Sequence, residues 1–317
     1  DPDFQRHDVW KQRQKSELIE SILMGIPIPL MYLFEDKNGK KQVVDGRQRI
    51  SAILDFLEGK FKLNNLRILK QFNGCCFADL DLKQQGVIED FQLLFYIIQP
   101  PTPERVKYDI FDRVNRGGTP LNKQEMRNAL YRGRCTRMLD KLCCSPEFLI
   151  ATGRSINKER MKDQYVVLRA MAFLMLHRGE FKDIPALQYR GDIDDFLARF
   201  MVYVNDNAPE KLIVDYENLF IRCMQISYDL LGENGFRFSG NGIRRPINMP
   251  LFEALSYLFS FVPEKIDYTW ASRLILDIES VKEEFDDSRY FSGNIDSTTS
   301  VSFRFDRMDK IINRIQL

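Results

Sequence analysis

Histidine is almost missing from this chain: among 317 residues only His7 and His177 occur. Two histidines so far apart cannot supply an HNH nuclease centre or a histidine-based zinc site. No run of about 18 apolar residues is present, which excludes a membrane-spanning helix. The opening residues 1–6 lack a basic start followed by an apolar segment, so no signal peptide is expected and a cytoplasmic location is. Positive charge is not in excess either. With a net charge of +1, binding to nucleic acid must be argued from local sites rather than from a global field. Six cysteines (Cys75, Cys76, Cys135, Cys143, Cys144 and Cys223) include two adjacent pairs but no CxxC spacing. Neighbours in sequence are poorly placed to bridge one another, so all six read as reduced thiols of an intracellular protein.

What is present is a globular composition, 44% hydrophobic and 29% charged, in a chain long enough for two ordinary domains. Residues 1–130 mix helix and strand patterns, and residues 131–317 read as helical. Leu18, Ile19, Ile22 and Leu23 make one apolar face of a helix over 15–24, stopped by Gly25. Pro27 and Pro29 keep the next stretch extended. Residues 30–34 and 42–45 then form a hairpin around Asp36-Lys37-Asn38-Gly39. Ile50, Ile53, Leu54 and Leu57 lie at helical spacing before Gly59, and residues 91–98 read as a further strand. A helix is expected from Thr102 to about Asn115. Another starts at Leu121-Asn122, with Asn122 as N-cap and Glu125 as its capping-box partner. Beyond it, helices are expected near 135–144, 160–178, 191–205, 209–231, 250–262, 270–285 and 303–316, with loops at 232–250 and 288–302.

The sharpest local feature is Gln42-Val43-Val44-Asp45-Gly46-Arg47-Gln48-Arg49-Ile50, a strand passing through Asp-Gly straight into an amphipathic helix. A helix N-terminus offers free backbone N–H groups and partial positive charge, which suits an anion. Gly46 allows close backbone approach, Arg47 and Arg49 provide guanidinium forks for phosphate oxygens, and Asp45 could hold Mg²⁺ or orient a water. The same residues also permit a plainer arrangement, with Asp45 capping the helix and both arginines in salt bridges. A second constellation, Asp112-Arg113-Val114-Asn115-Arg116-Gly117-Gly118, makes a polar loop able to present N–H groups, Asn115 and Arg116 to a ligand, or simply a glycine-stopped connection. The third is Phe4-Gln5-Arg6-His7-Asp8-Val9-Trp10, which mixes polar groups with aromatic anchors. Arg127, Arg132, Arg134 and Arg137 form a basic cluster that reads equally as a solvated helix face or a phosphate groove.

Taken in series, these pieces resemble the GmrSD restriction-endonuclease N-terminal domain family. The matching segments are Pro2-Asp3-Phe4-Gln5-Arg6 with Trp10, Ser16 to Leu23 with Gly25-Ile26-Pro27-Ile28-Pro29, and Val44 to Arg49. Phe111 to Gly118, Leu121-Asn122 and Glu125-Met126-Arg127-Asn128-Ala129 complete them. The resemblance implies an α+β fold: a ParB/sulfiredoxin-like core with a small mixed sheet, followed by a mainly α-helical C-terminal domain. It implies that the Asp-Gly-Gln-Gln-Arg turn binds or hydrolyses a nucleoside triphosphate, in systems that sense modified phage DNA and restrict it. Carried onto this chain, Asp45, Gln48 and Arg49 are the expected catalytic residues, with Asp45 as the Mg²⁺ ligand. Gln5, Arg6, Gly46, Arg47, Arg113, Asn115, Arg116, Gly117 and Gly118 are the expected nucleotide-binding set. Arg47 stands where the family more often has Gln, which adds a charge for phosphate and leaves hydrolysis open.

Three functions follow as expectations. The first is a Mg²⁺-dependent nucleoside triphosphatase serving a DNA-restriction system, with DNA and a nuclease protein as partners. The second is a nuclease in which Asp45 and Glu17 or Glu20 hold metal. The third is a non-catalytic sensor of DNA or nucleotide that recruits a nuclease.

Overall fold

The computed structural model describes residues 10–35, 39, 41–99, 122–239, 244–263, 265, 267–288 and 290–315. The chain divides into two compact units, Asp1–Pro120 and Leu121–Leu317. In the first, α1 (Gln12–Leu23) precedes a hairpin of β1 (Met31–Glu35) and β2 (Lys41–Asp45), then α2 (Arg47–Leu57), α3 (Leu82–Glu89) and β3 (Phe95–Ile98). The sheet has the order β2-β1-β3. β1 pairs antiparallel with β2 and parallel with β3, so the sheet is mixed, as the resemblance led one to expect.

The core of this unit is made by the faces that helical spacing picked out. Leu18, Ile19 and Ile22 of α1 meet Ala52, Ile53 and Phe56 of α2, together with Leu63, Leu66, Leu80 and Ile88. Fully burying a side chain such as Phe56 contributes about 1.5–3 kcal/mol. α1 begins earlier than its apolar stripe because the Gln14 side chain accepts the Lys11 backbone N–H (3.0 Å). The third strand is shorter than the expected 91–98. Phe91 and Leu93 pack against the helical core instead, and pairing with β1 starts only at Phe95. The expected helix over 102–115 lies outside the described residues.

The second unit is helical throughout the described residues. It comprises α4 (Lys123–Leu130), α5 (Arg134–Cys143), α6 (Pro146–Ala151), α7 (Lys162–His177), α8 (Ile193–Asp206), α9 (Glu210–Leu231), α10 (Met249–Phe259), α11 (Tyr268–Asp286) and α12 (Thr298–Ile315). Only α6 was not foreseen. α12 starts five residues earlier than expected, because Ser297 Oγ accepts the Ser300 N–H (3.1 Å) and sets up the first turn. α4 carries the predicted cap: the Asn122 side chain accepts the Gln124 and Glu125 N–H groups (2.8 and 2.9 Å), and Glu125 returns to the Asn122 N–H (2.7 Å). The six cysteines are all free, and burial pushes the Cys223 thiol up to about 12. No helix among the described residues is long and apolar enough to cross a membrane.

Candidate functional site

The candidate site lies where β2 hands over to α2. The β1–β2 register pairs Leu33 with Val43 but Tyr32 with Asp45, so β2 carries one extra residue, Val44. A bulge at the end of a strand re-aims the side chains beside it, and here the residue re-aimed is Asp45. Gly46 follows as N-cap of α2 with φ +97°, in the left-handed region that side chains disfavour. A Cβ on Gly46 would lie 2.3 Å from Met31 Cγ and 2.5 Å from Met31 Sδ. Glycine is thus required twice, by its backbone angle and by the buried Met31 packed against it.

Arg49, one turn into α2, folds back. Its Nη2 donates to Asp45 Oδ2 at 2.5 Å, and its Nη1 donates to the Pro29 carbonyl. Asp45 and Arg49 side chains are 28% and 13% exposed, so the pair sits half-buried at the mouth of the turn rather than in bulk solvent. The plainer reading thus holds for Arg49, which is salt-bridged. It does not hold for Asp45 as a cap, since no side chain caps α2. Arg47 and Gln48 are half-buried on the first turn. The structure therefore gathers Asp45, Gly46, Arg47, Gln48 and Arg49 around one helix N-terminus. Gln5, Arg6, Arg113, Asn115, Arg116, Gly117 and Gly118 lie outside the described residues.

One participant escaped sequence reasoning. The Pro29 carbonyl closes the Arg49 guanidinium, which links the Gly25-Ile26-Pro27-Ile28-Pro29 segment directly to the turn. The proline spacing showed that this stretch is extended, but not which carbonyl it would offer.

Glu20, considered as a metal ligand, has a different task. Its carboxylate accepts the backbone N–H groups of Arg67 (3.3 Å), Ile68 (2.8 Å) and Leu69 (2.8 Å). Burial alone would raise its pKa, but these three N–H bonds outweigh burial and hold the carboxyl below its ordinary value. With its oxygens so engaged, Glu20 is a staple for the loop after α2. Glu17 pairs with Arg13 (3.0 Å). Among the described residues no group of three His, Cys, Asp or Glu side chains could hold a metal ion. Asp45 alone is compatible with a Mg²⁺ carried mainly by phosphate oxygens, which uses one or two protein carboxylates.

The basic cluster also separates. Arg127 is fully buried, donating to Asp194 (2.7 Å) and Gln124 (3.0 Å), and Arg134 pairs with Glu210 (2.7 Å). Arg132 and Arg137 are exposed. Two of the four are thus engaged by carboxylates of the same unit, and only Arg127 is buried.

A bulged hairpin thus delivers an aspartate and an arginine to a glycine-capped helix N-terminus within an α+β unit. The family described as the GmrSD restriction endonuclease N-terminal domain matches over residues 1–132, so the amino-terminal part of this chain is similar to it. The match runs past Pro120, so its last dozen residues, with Asn122, Glu125 and Arg127, belong to the helical unit. No curated protein matches the chain.

Proposed function

We propose that the amino-terminal domain binds and hydrolyses a nucleoside triphosphate in a DNA-restriction system. The observation that carries this reading is the Asp45–Arg49 couple held at the glycine-capped N-terminus of α2, inside the segment that matches a restriction-endonuclease domain. The helix N-terminus, with Arg47 and Arg49, would receive phosphates. Gln48 would orient the terminal phosphate or the attacking water, and Gln5, Arg6, Arg113 and Asn115–Gly118 would close over the nucleotide. Asp45 would supply one ligand to Mg²⁺, which when bound offsets phosphate charge during phosphoryl transfer. DNA, and a nuclease that acts on it, are the partners this role implies, since the two histidines among these 317 residues cannot form an HNH centre.

Phosphate release across the four nucleoside triphosphates, with and without DNA, tests the proposal. Turnover is expected in the parent chain and a loss of at least 100-fold in Asp45→Ala and in Arg49→Ala, each with an unchanged circular-dichroism spectrum. Undiminished turnover in either variant rejects the site. A second reading, nucleotide binding without turnover, draws on the fact that Asp45 is already engaged by Arg49. It predicts tight binding by the parent chain and no phosphate release under any condition.

A further inference from the structure

The helical unit has a cavity of its own, with a volume of about 710 Å³. It opens beside the end of α9, where the chain turns at Gly232–Asn234, and is bordered by the last turns of α11. Its charged lining is four cations, Arg237, Arg244, Arg245 and Lys282, against two carboxylates, Glu233 and Glu279.

Arg237 is only 4% exposed. Every partner of its guanidinium is uncharged: the carbonyls of Glu233 (3.2 Å), Arg245 and Thr152 (3.2 Å), and the Ser155 hydroxyl. These bonds fix the planar fork in place but do not neutralise it. Burial first, and then the like charge of Arg244, hold its pKa below the ordinary guanidinium value. Lys282, equally buried, donates to the Asn234 carbonyl (3.2 Å) and to Glu279 (2.9 Å). Among the described residues Arg237 thus has only one carboxylate near it, Glu233, which is itself paired with Arg244, and a buried cation so weakly compensated is stabilised by a further anion.

Two further arginines stand at the rim. Arg244 pairs with Glu233 (2.6 Å) and Arg245 with Asp286, and all four side chains are a third to a half exposed. Exposed pairs of this kind contribute little and exchange readily for a better acceptor. Arg245 also lies 5.4 Å from the centre of the Phe238 ring, which limits where its guanidinium can point. Gly153, at φ +58°, clears the rim: a Cβ there would stand 2.1 Å from Arg244 Nη2 and 2.7 Å from Glu233 Oε2.

We infer that this cavity is a second anion site, separate from the turn at Asp45, and that it takes a small phosphorylated molecule, a phosphate ester or an oligophosphate. The guanidinium forks match phosphate oxygens, and the volume falls in the range of small-ligand sites, roughly 300–1,000 Å³. A concave site of this kind suits a free phosphate group better than the phosphates displayed on the convex face of a duplex.

Calorimetric titration of the full chain with pyrophosphate tests the inference, using an Asp45→Ala/Arg49→Ala background so that the amino-terminal turn does not contribute. Saturable binding is expected in that background. Adding Arg244→Ala and Arg245→Ala should weaken it at least tenfold without moving the thermal melt. The single half-exposed change Arg244→Glu gives an independent check and should cause a comparable loss. Absence of saturable binding in the background overturns the inference, as does binding that neither rim change affects. Displacement of pyrophosphate by a short DNA duplex more readily than by ATP would overturn the assignment to a small molecule.

Discussion

In the amino-terminal unit the buried carboxylate, Glu20, is held by the backbone N–H groups of Arg67, Ile68 and Leu69. In the helical unit the most deeply buried carboxylate among the described residues, Glu253, is held by two side-chain cations, Arg169 and Arg304, all three fully buried. Arg169 also reaches Asp296 (2.6 Å), and Arg304 the Ile295 carbonyl (2.6 Å), so α7, α10 and α12 are joined through charge. A carboxylate on backbone N–H groups pins one loop and asks nothing of other side chains. A carboxylate between two buried arginines works only while every member is in place. The helical unit has thus committed its central charges to structure. The amino-terminal unit leaves its Asp45–Arg49 pair partly exposed at a helix N-terminus, outside any such buried network.

The strongest way to break this contrast is Glu253→Ala. It strands two buried guanidinium groups, and Arg304 already has one buried nitrogen, Nε, without a partner. A loss of about 3–5 kcal/mol is expected in urea denaturation; a loss below about 1 kcal/mol would mean that the triad is not a structural unit. Gly46→Ala comes next. The positive φ and the Met31 overlap together should cost about 2–3 kcal/mol, and a neutral result would show that the turn can relax away from Met31.

A third effect depends on pH. His177 is half-buried, stacked on Phe305 at 3.6 Å and near Tyr257, and its buried Nε2 lacks a partner. Burial, and after it the charge of Arg304, push its pKa down to about 3. The folded state therefore keeps the ring neutral, and its contribution is complete above the ordinary value of 6.5 and lost as pH falls from there toward 3. Between pH 7 and pH 5 this costs about 2 kcal/mol, an order-of-magnitude figure from the linkage relation. A His177→Phe variant should show a flatter urea midpoint over that interval, and an unchanged slope would refute the assignment. The smallest stability changes belong to Asp45→Ala and Arg49→Ala, about 1 kcal/mol each for a half-buried pair. Their large effect is expected in phosphate release, and a loss of several kcal/mol would place the pair with the structural charges of the helical unit.

Much of the architecture was legible because its signals are local. The apolar stripes of α1 and α2, the hairpin around Gly39, the glycine turn at 46 and the Asn122–Glu125 cap each depend on residues within a few positions of one another. The misreadings occur where long-range packing took over. Phe91 and Leu93 have strand composition but were drawn to the helical core, and the Arg127–Arg137 cluster looked like one face until Arg127 found Asp194, 67 residues away. Glu20 was a candidate metal ligand until the loop at 67–69 closed over it and took up its carboxylate.

By itself the sequence determined most of the helices, the hairpin and which five residues meet at the β2–α2 turn, because periodicity, glycine conformation and capping act over one or two turns of chain; it missed α3 and α6 and the exact starts of β3 and α12. Which charges are engaged and which remain accessible was decided only in the tertiary structure. Arg49 needs a carbonyl 20 residues upstream, and Arg169 needs a carboxylate 84 residues downstream. A side chain's composition specifies that it must have a partner when buried, whereas the packing of distant segments specifies which partner it meets.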